Sequence, residues 1–162
     1  MSLPKVVSST TKIRFQDCDP FNHLNNGSYI NYFINHREDQ LIKHYDIDIY
    51  DMAKSTGISW VTGSNQIAYL RPAFLMETVI IESQLIAYND SQIKVEMRMY
   101  DEHRTQLKAV LWSVFVHFNL VKQKRQQHRS SEMQLFEAIY NPIQTEIFEE
   151  RIQNLKLQKA LV

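Results

Sequence analysis

The chain has 162 residues, 44% hydrophobic and 22% charged, and eighteen basic side chains balance eighteen acidic ones for a formal net charge of zero. That length suits one domain with a real core, and the balance excludes a global field that would recruit nucleic acid or an anionic membrane. A single cysteine, Cys18, excludes an internal disulfide and points to a reducing, cytoplasmic setting, while the N-terminus carries no signal-peptide core and no window of about 18 apolar residues predicts a membrane span.

In chain order, Val6 to Gln16 is rich in β-branched residues and predicts a first strand. A polar stretch follows. From Ser28 to about Tyr45, apolar residues pair at 29/33, 30/34 and 41/45, the spacing of a helix face. The first half of this helix is apolar nearly all round, which predicts a helix surrounded by protein. Ile49 to Ser55 predicts a short helix or turn closed by Gly57. Four strand-like runs come next, Ile58–Arg71, Glu77–Tyr88, Gln92–Tyr100 and Thr105–Leu120, with polar breaks of hairpin length at Asn89-Asp90-Ser91 and Asp101-Glu102-His103-Arg104.

In the third run Ile93, Val95, Met97 and Met99 share one face and Lys94, Glu96 and Arg98 the other; in the fourth, Val110, Trp112, Val114, Val116 and Phe118 share a face. Each pattern predicts a strand with one buried and one wetter side. Beyond a basic connector, Lys122 to Arg129, the segments Glu132–Tyr140 and Ile143–Leu161 predict two helices broken at Pro142. The second, with Ile147, Ile152, Leu155, Leu157 and Leu161 among many charges, is amphipathic and suited to pack on the domain or on a partner. The whole reads as one α+β domain over 1–162: a core over about 6–121 with one helix held against an antiparallel sheet, and a helical extension over about 130–162.

The densest functional chemistry lies in Asp17-Cys18-Asp19-Pro20-Phe21-Asn22-His23-Leu24-Asn25-Asn26-Gly27-Ser28-Tyr29. Asp, Asn, Pro and Gly end a strand there, and Asn25, Asn26 and Ser28 are each able to cap the helix that follows. Such a turn aims free backbone N–H groups and polar side chains at one point, which suits a developing negative charge with a carboxylate beside it.

This signature, Asp17-x-Asp19-x-x-x-His23-x-Asn25-Asn26-x-x-Tyr29, together with Tyr69-Leu70-Arg71-Pro72-Ala73 and the closing run Val114-Phe115-Val116, resembles the hotdog-fold thioesterases of the 4-hydroxybenzoyl-CoA and acyl-CoA thioesterase type over roughly Thr11 to Leu120. The resemblance implies a curved antiparallel sheet wrapped around a central helix. It implies hydrolysis of an acyl-CoA, or of an acyl-ACP, with no added cofactor, in a homodimer or homotetramer whose site forms where the helix start of one subunit meets the sheet of another. By position, Asp19 matches the carboxylate used as nucleophile or general base, the Asn26 amide matches the donor that polarises the thioester carbonyl, and His23 and Asn25 match polar neighbours of the acid in related acyl-ACP thioesterases. Many relatives carry a Glu five residues after the signature tyrosine; this chain has Ile34 there.

The chemistry is self-consistent. A carboxylate can attack the carbonyl or take a proton from water, and a preorganised amide donor stabilises the oxyanion by roughly 3–4 kcal/mol. The thiolate leaves readily, so no strong general acid is required. Asp17 reads as structural and Tyr29 as core packing with a polar tip near the site. Cys18 is excluded as the nucleophile because two flanking carboxylates disfavour its thiolate. Six histidines form no H-x-H or H-x-x-x-H pair, so no metal site is expected. Lys122, Lys124, Arg125 and Arg129 form either a solvated linker or, with Arg71 or Arg104, a contact for the phosphates of coenzyme A. The rival reading is a non-catalytic module that binds an acyl thioester as a sensor or assembly subunit. A hotdog dehydratase would need a histidine within an active-site helix, for which there is no clear match.

Overall fold

A computed structural model describes residues 2–160, with side chains through residue 158. Five long elements of the sheet are β1 (Val6–Lys12), β2 (Ile58–Tyr69), β3 (Thr78–Tyr88), β4 (Gln92–Asp101) and β5 (Leu107–Asn119), all antiparallel in the order β1-β3-β4-β5-β2. A two-residue strand, β6 (Lys124–Arg125), adds to the end of β5 within the basic connector. Helices α1 (Tyr29–Tyr45) and α2 (Ile49–Thr56) precede β2, and α3 (Ser130–Ile139) and α4 (Phe148–Ala160) follow the sheet. This curled sheet around a central helix is the hotdog architecture expected from the sequence.

Local chemistry sets the boundaries. β1 stops at Lys12, short of the predicted Gln16, because residues 15–17 tighten into a 3-10 turn that leaves Phe15 79% exposed. Asp48 caps α2 by accepting from the Tyr50 and Asp51 amides, and Gly57 ends it in the left-handed region at φ 71°. Asn89 Oδ1 closes the β3–β4 hairpin by accepting from the Ser91 and Gln92 amides. The last helix starts at Phe148 rather than Ile143, and Leu161 lies outside the described residues.

α1 sits in the curl of the sheet. Its Tyr29, Tyr32 and Phe33 pack on Val79, Ile81, Met97, Met99, Ala109 and Leu111. The apolar surround expected for its first half is incomplete, since Ile30 and Ile34 are only half-buried. Its second half buries polar groups that the apolar spacing did not reveal. Gln40 donates to Ser9 Oγ (2.9 Å) and the Ile81 carbonyl (3.0 Å), Ser83 donates to Gln40 Oε1 (2.5 Å), and Arg37 donates to Ser83 Oγ (2.8 Å). These bonds tie α1 to β1 and β3 and satisfy groups that would otherwise be costly to bury.

The expected wetter face of β4 is dry at two of its three positions: Glu96 is fully buried and Arg98 is 6% exposed, while Lys94 is half-buried. The cause is α4, which covers the outer face of the sheet with Phe148, Ile152 and Leu155 against Val110 and Trp112. Val110 and Trp112 therefore face α4, while Ala109, Leu111 and Phe115 face the interior, so this part of β5 is buried on both sides. Ile147 and Leu157 stay exposed. Arg151 of α4 grips Glu96 with two bonds (2.7 and 2.8 Å), joined by Arg98 (2.5 Å) and the Trp112 indole N–H (2.9 Å). Burial alone would raise the Glu96 carboxyl, but the bonds and charges of Arg151 and Arg98 hold it below its ordinary value of 4.5. No helix among the described residues is long and apolar enough to cross a membrane.

Glu96→Gln strips the charge that neutralises the buried Arg98 and the half-buried Arg151 guanidinium groups, so it should cost about 3–5 kcal/mol in urea unfolding at pH 7. A folded-state pKa below the unfolded one stabilises the protein above the unfolded value, and that contribution is lost as pH falls through the folded value. The variant's deficit should therefore shrink as pH drops below about 4.5; a deficit unchanged down to acid unfolding would contradict this role.

Candidate active site

The turn between β1 and α1 is built by its own side chains. Asp19 Oδ1 accepts from the amides of Phe21 (2.9 Å) and His23 (3.2 Å), and the Asp19 amide donates to the His23 carbonyl (2.8 Å). Asn22 absorbs the reversal at φ 63°, a region that Asn tolerates better than most residues. These bonds occupy Oδ1. Oδ2 makes no hydrogen bond among the described residues and remains open.

Asn25 caps the 3-10 turn Asn26–Ser28 that leads into α1: its Oδ1 accepts from the Gly27 amide (2.9 Å) and its carbonyl from the Ser28 amide (2.8 Å). The Asn26 amide has no partner among the described residues, as expected of a first-turn donor. The phenol of Tyr69, at the end of β2, donates to the Asn26 carbonyl (2.8 Å) and fixes that residue from the far side.

Two tyrosines clamp the helix start. Tyr32 donates to Asp17 Oδ2 (2.6 Å) and accepts from the Arg14 amide (3.0 Å), so Asp17 is a brace rather than a free carboxylate. Burial, then the Asp17 bond, pushes the Tyr32 phenol up to about 12. Tyr29 is 4% exposed and accepts from the Ala73 amide (3.1 Å) through its hydroxyl. Burial raises this phenol as well, so both clamps remain neutral hydroxyls across the working pH range.

A cleft of about 390 Å³ opens at this point, lined by Asp19, His23, Asn25, Asn26, Tyr29 and Arg71, with Tyr69 and Pro72 on its other wall. The structure thus brings six of the sequence-chosen residues together. The His23 and Phe74 rings meet edge to face (centroids 5.1 Å apart), and Arg71 is exposed. Lys122, Lys124 and Arg125 are not in this cleft. They follow β5 at the end where Asn119 pairs with Ile58, whereas the cleft lies at the Tyr69 end of β2. Eleven strand steps separate those ends, roughly 35–37 Å along an extended strand. Arg104 lies in the β4–β5 turn, paired with Glu82. Cys18 is pushed up by burial and by its flanking carboxylates, contrary to what a nucleophile needs. Among the described residues, no group of three His, Cys, Asp or Glu could hold a metal.

Two supports were missed from sequence. Tyr69 was legible only as part of a motif. Lys108 is 1% exposed and reaches the Pro72 carbonyl (3.0 Å), Glu77 (3.0 Å) and the face of Phe74, buttressing the wall of the cleft. Its signal was a lone charge in the apolar run Leu107-Lys108-Ala109-Val110.

The sequence profile of the Thioesterase-like superfamily matches residues 13–144. Sequence comparison with curated proteins gives no match. Among solved structures, the chain is similar to YbaW, a probable thioesterase from Escherichia coli, at 25% identity and TM-score 0.69, covering 83% of this chain and 98% of that one. Its fold is also that of a 1,4-dihydroxy-2-naphthoyl-CoA thioesterase from Synechocystis (11% identity, TM-score 0.73, coverage 83% and 95%). A third, SAV2348 from Staphylococcus aureus, solved in complex with CoA, has 12% identity, TM-score 0.76 and coverage of 91% and 92%. A matching profile over most of the chain, on a curled sheet with a polar turn at the start of its central helix, is decisive: this chain belongs to the Thioesterase-like superfamily and is a hotdog-fold thioester hydrolase.

Proposed function

We propose that the chain hydrolyses an acyl-CoA to the free acid and coenzyme A, with Asp19 as the reacting carboxylate and the Asn26 amide as oxyanion donor. One observation carries this reading. A single cleft is lined both by a carboxylate with one oxygen pinned and one open, and by a helix-start residue whose amide is unpaired. Pinning Oδ1 restricts the carboxylate to one orientation, so Oδ2 can attack the thioester carbon or take a proton from water without a search over rotamers. The carbonyl oxygen gains negative charge as the tetrahedral intermediate forms, and an unpaired amide at the helix start that lines the cleft would stabilise that charge. His23 holds the turn through its backbone, Asn25 caps the helix start, and Arg71 at the rim is placed for a phosphate of the carrier. The CoA found with SAV2348 supports this carrier class over acyl-ACP, and the lone cysteine supports a cytoplasmic setting.

The reading extends to a homodimer paired through β2. Among the described residues β2 has a strand neighbour on one side only, and Thr62 to Gln66 are exposed along it. Antiparallel pairing of this edge with its copy sets the Ile58 end of one chain beside the Tyr69 end of the other. Lys122, Lys124 and Arg125 of one subunit then flank the cleft of its neighbour, where they meet the phosphates of CoA.

Asp19→Asn should retain the fold and acyl-CoA binding while lowering turnover by about a hundredfold or more, read as CoA release by chromatography. Normal hydrolysis by that variant would sink the assignment, whereas tight binding with no turnover in the wild type would favour the sensor reading. Asn26→Pro deletes only the donor N–H at a position where proline suits a helix start, after Asn25 in an extended conformation (φ −60°, ψ 136°). It should lower kcat by about 10²–10³, while Asn26→Ala stays near wild type. Replacing Lys122, Lys124 and Arg125 together by Glu should raise KM. Mixed with Asp19→Asn under subunit exchange, that variant should recover about a quarter of the wild-type rate, the share expected when each mixed dimer holds one intact site. Absence of any recovery would argue against the shared site.

A further inference from the structure

A second cavity, about 250 Å³, lies between the C-terminal half of α1, the inner face of the sheet and α3. Ile34, Leu41, Trp60, Val95, Phe115 and Leu135 give it an apolar wall. None of the residues lining the Asp19 cleft lines it. An apolar cavity of 150 Å³ is already enough to hold benzene, so this one has room for a ring with a short tail or for a medium-length alkyl chain.

One lining residue does not suit a purely apolar guest. Arg37 is 5% exposed, and among the described residues no carboxylate lies within ion-pair distance of its guanidinium. It has five N–H donors. The structure gives it a hydrogen bond to Ser83 Oγ and a hydrogen-bonding and ring contact with the neutral Tyr45, whose ring centroid lies 5.9 Å away, and neither partner carries a counter-charge. Burial lowers its pKa to about 10, which still leaves it charged at neutral pH. The adjacent Glu38 also borders the cavity, but its carboxylate accepts from the Tyr50 hydroxyl (2.8 Å) and is directed about 100° away around the helix. A buried cation without a counter-charge is among the most costly groups a core can carry. The other buried arginine of this fold, Arg98, is matched by Glu82 and Glu96.

We propose that this cavity is a binding site for an organic carboxylate with an apolar body, a medium-chain fatty acid or an arylalkyl acid, whose carboxylate is the missing counter-ion of Arg37. The fork geometry of a guanidinium matches two carboxylate oxygens, and the apolar wall takes the hydrocarbon. The proposal is independent of the chemistry assigned to Asp19. Its ligand belongs to the same class as the acids that thioester hydrolysis releases, so the site is suited to sense or retain such acids apart from the reacting carboxylate.

Calorimetric titration of the full chain carrying Asp19→Asn with decanoate and with decanol separates charge from hydrocarbon, and a failed hydrolysis assay does not affect the result. Decanoate should bind at least about tenfold more tightly than decanol, the preference expected of a charge-assisted bond over a neutral one. Arg37→Met, which roughly preserves volume, should remove that preference while leaving decanol binding in place. Leu41→Trp, which fills the cavity, should abolish both. Equal binding of acid and alcohol, no binding of either, or undiminished decanoate binding in Leu41→Trp would each overturn the proposal. If Arg37→Met fails to fold, the acid-against-alcohol comparison and Leu41→Trp still decide it.

Discussion

α1 is held against the concave face of the sheet by two different kinds of contact, and its position determines where the polar turn points. Toward the N-terminus the hold is aromatic and directional: Tyr29 and Tyr32 pack in the core and spend their hydroxyls on the Ala73 amide and on Asp17. Toward the C-terminus the hold is a buried hydrogen-bonded ladder through Gln40, Ser83 and Ser9. Apolar burial supplies most of the stabilisation but tolerates sliding and rotation. The polar contacts do not, because a shift of even one residue would leave several buried groups unsatisfied. The turn at Asp19 and the amide at Asn26 therefore sit on a helix that has been fixed in register.

The same logic explains how so few titratable groups suffice in the cleft. Asp19 is oriented by amides of its own turn, Asn26 by a cap on one side and Tyr69 on the other. Neither needs a second charged residue for support. Charges are concentrated elsewhere, in the Glu96–Arg98–Arg151 cluster beneath α4 and in the Lys108–Glu77 pair behind the cleft wall, where they join elements rather than react.

Much of this was legible in the sequence, and the reasons are physical. The order of elements and the hairpin breaks followed from local patterns, since turn chemistry and period-two alternation are properties of adjacent residues. The turn was legible as a candidate site because it concentrates several unusual residue types in one short segment. What failed was anything set by a distant partner. Alternation in β4 marks Glu96 and Arg98 as facing away from α1, but only α4, fifty residues later, makes that side dry. Arg37 and Gln40 look like the polar stripe of an amphipathic helix, and nothing local distinguishes a buried polar ladder from a solvated face. Lys122, Lys124 and Arg125 offer positive charge for a phosphate but lie a full strand length from the cleft of their own chain.

The cover that α4 provides arrives late in the life of the molecule. During synthesis the sheet is complete once β5 has emerged, yet Trp112, Val110 and Ile86 remain bare until Phe148, Ile152 and Leu155 follow. At a translation rate of about 5–20 residues per second this interval lasts a few seconds, a long time beside the formation of a hairpin. Through that window the nascent chain presents an apolar sheet surface together with a carboxylate still waiting for one of its two arginines. Its vulnerability to misassociation is therefore greatest between the emergence of β5 and that of α4.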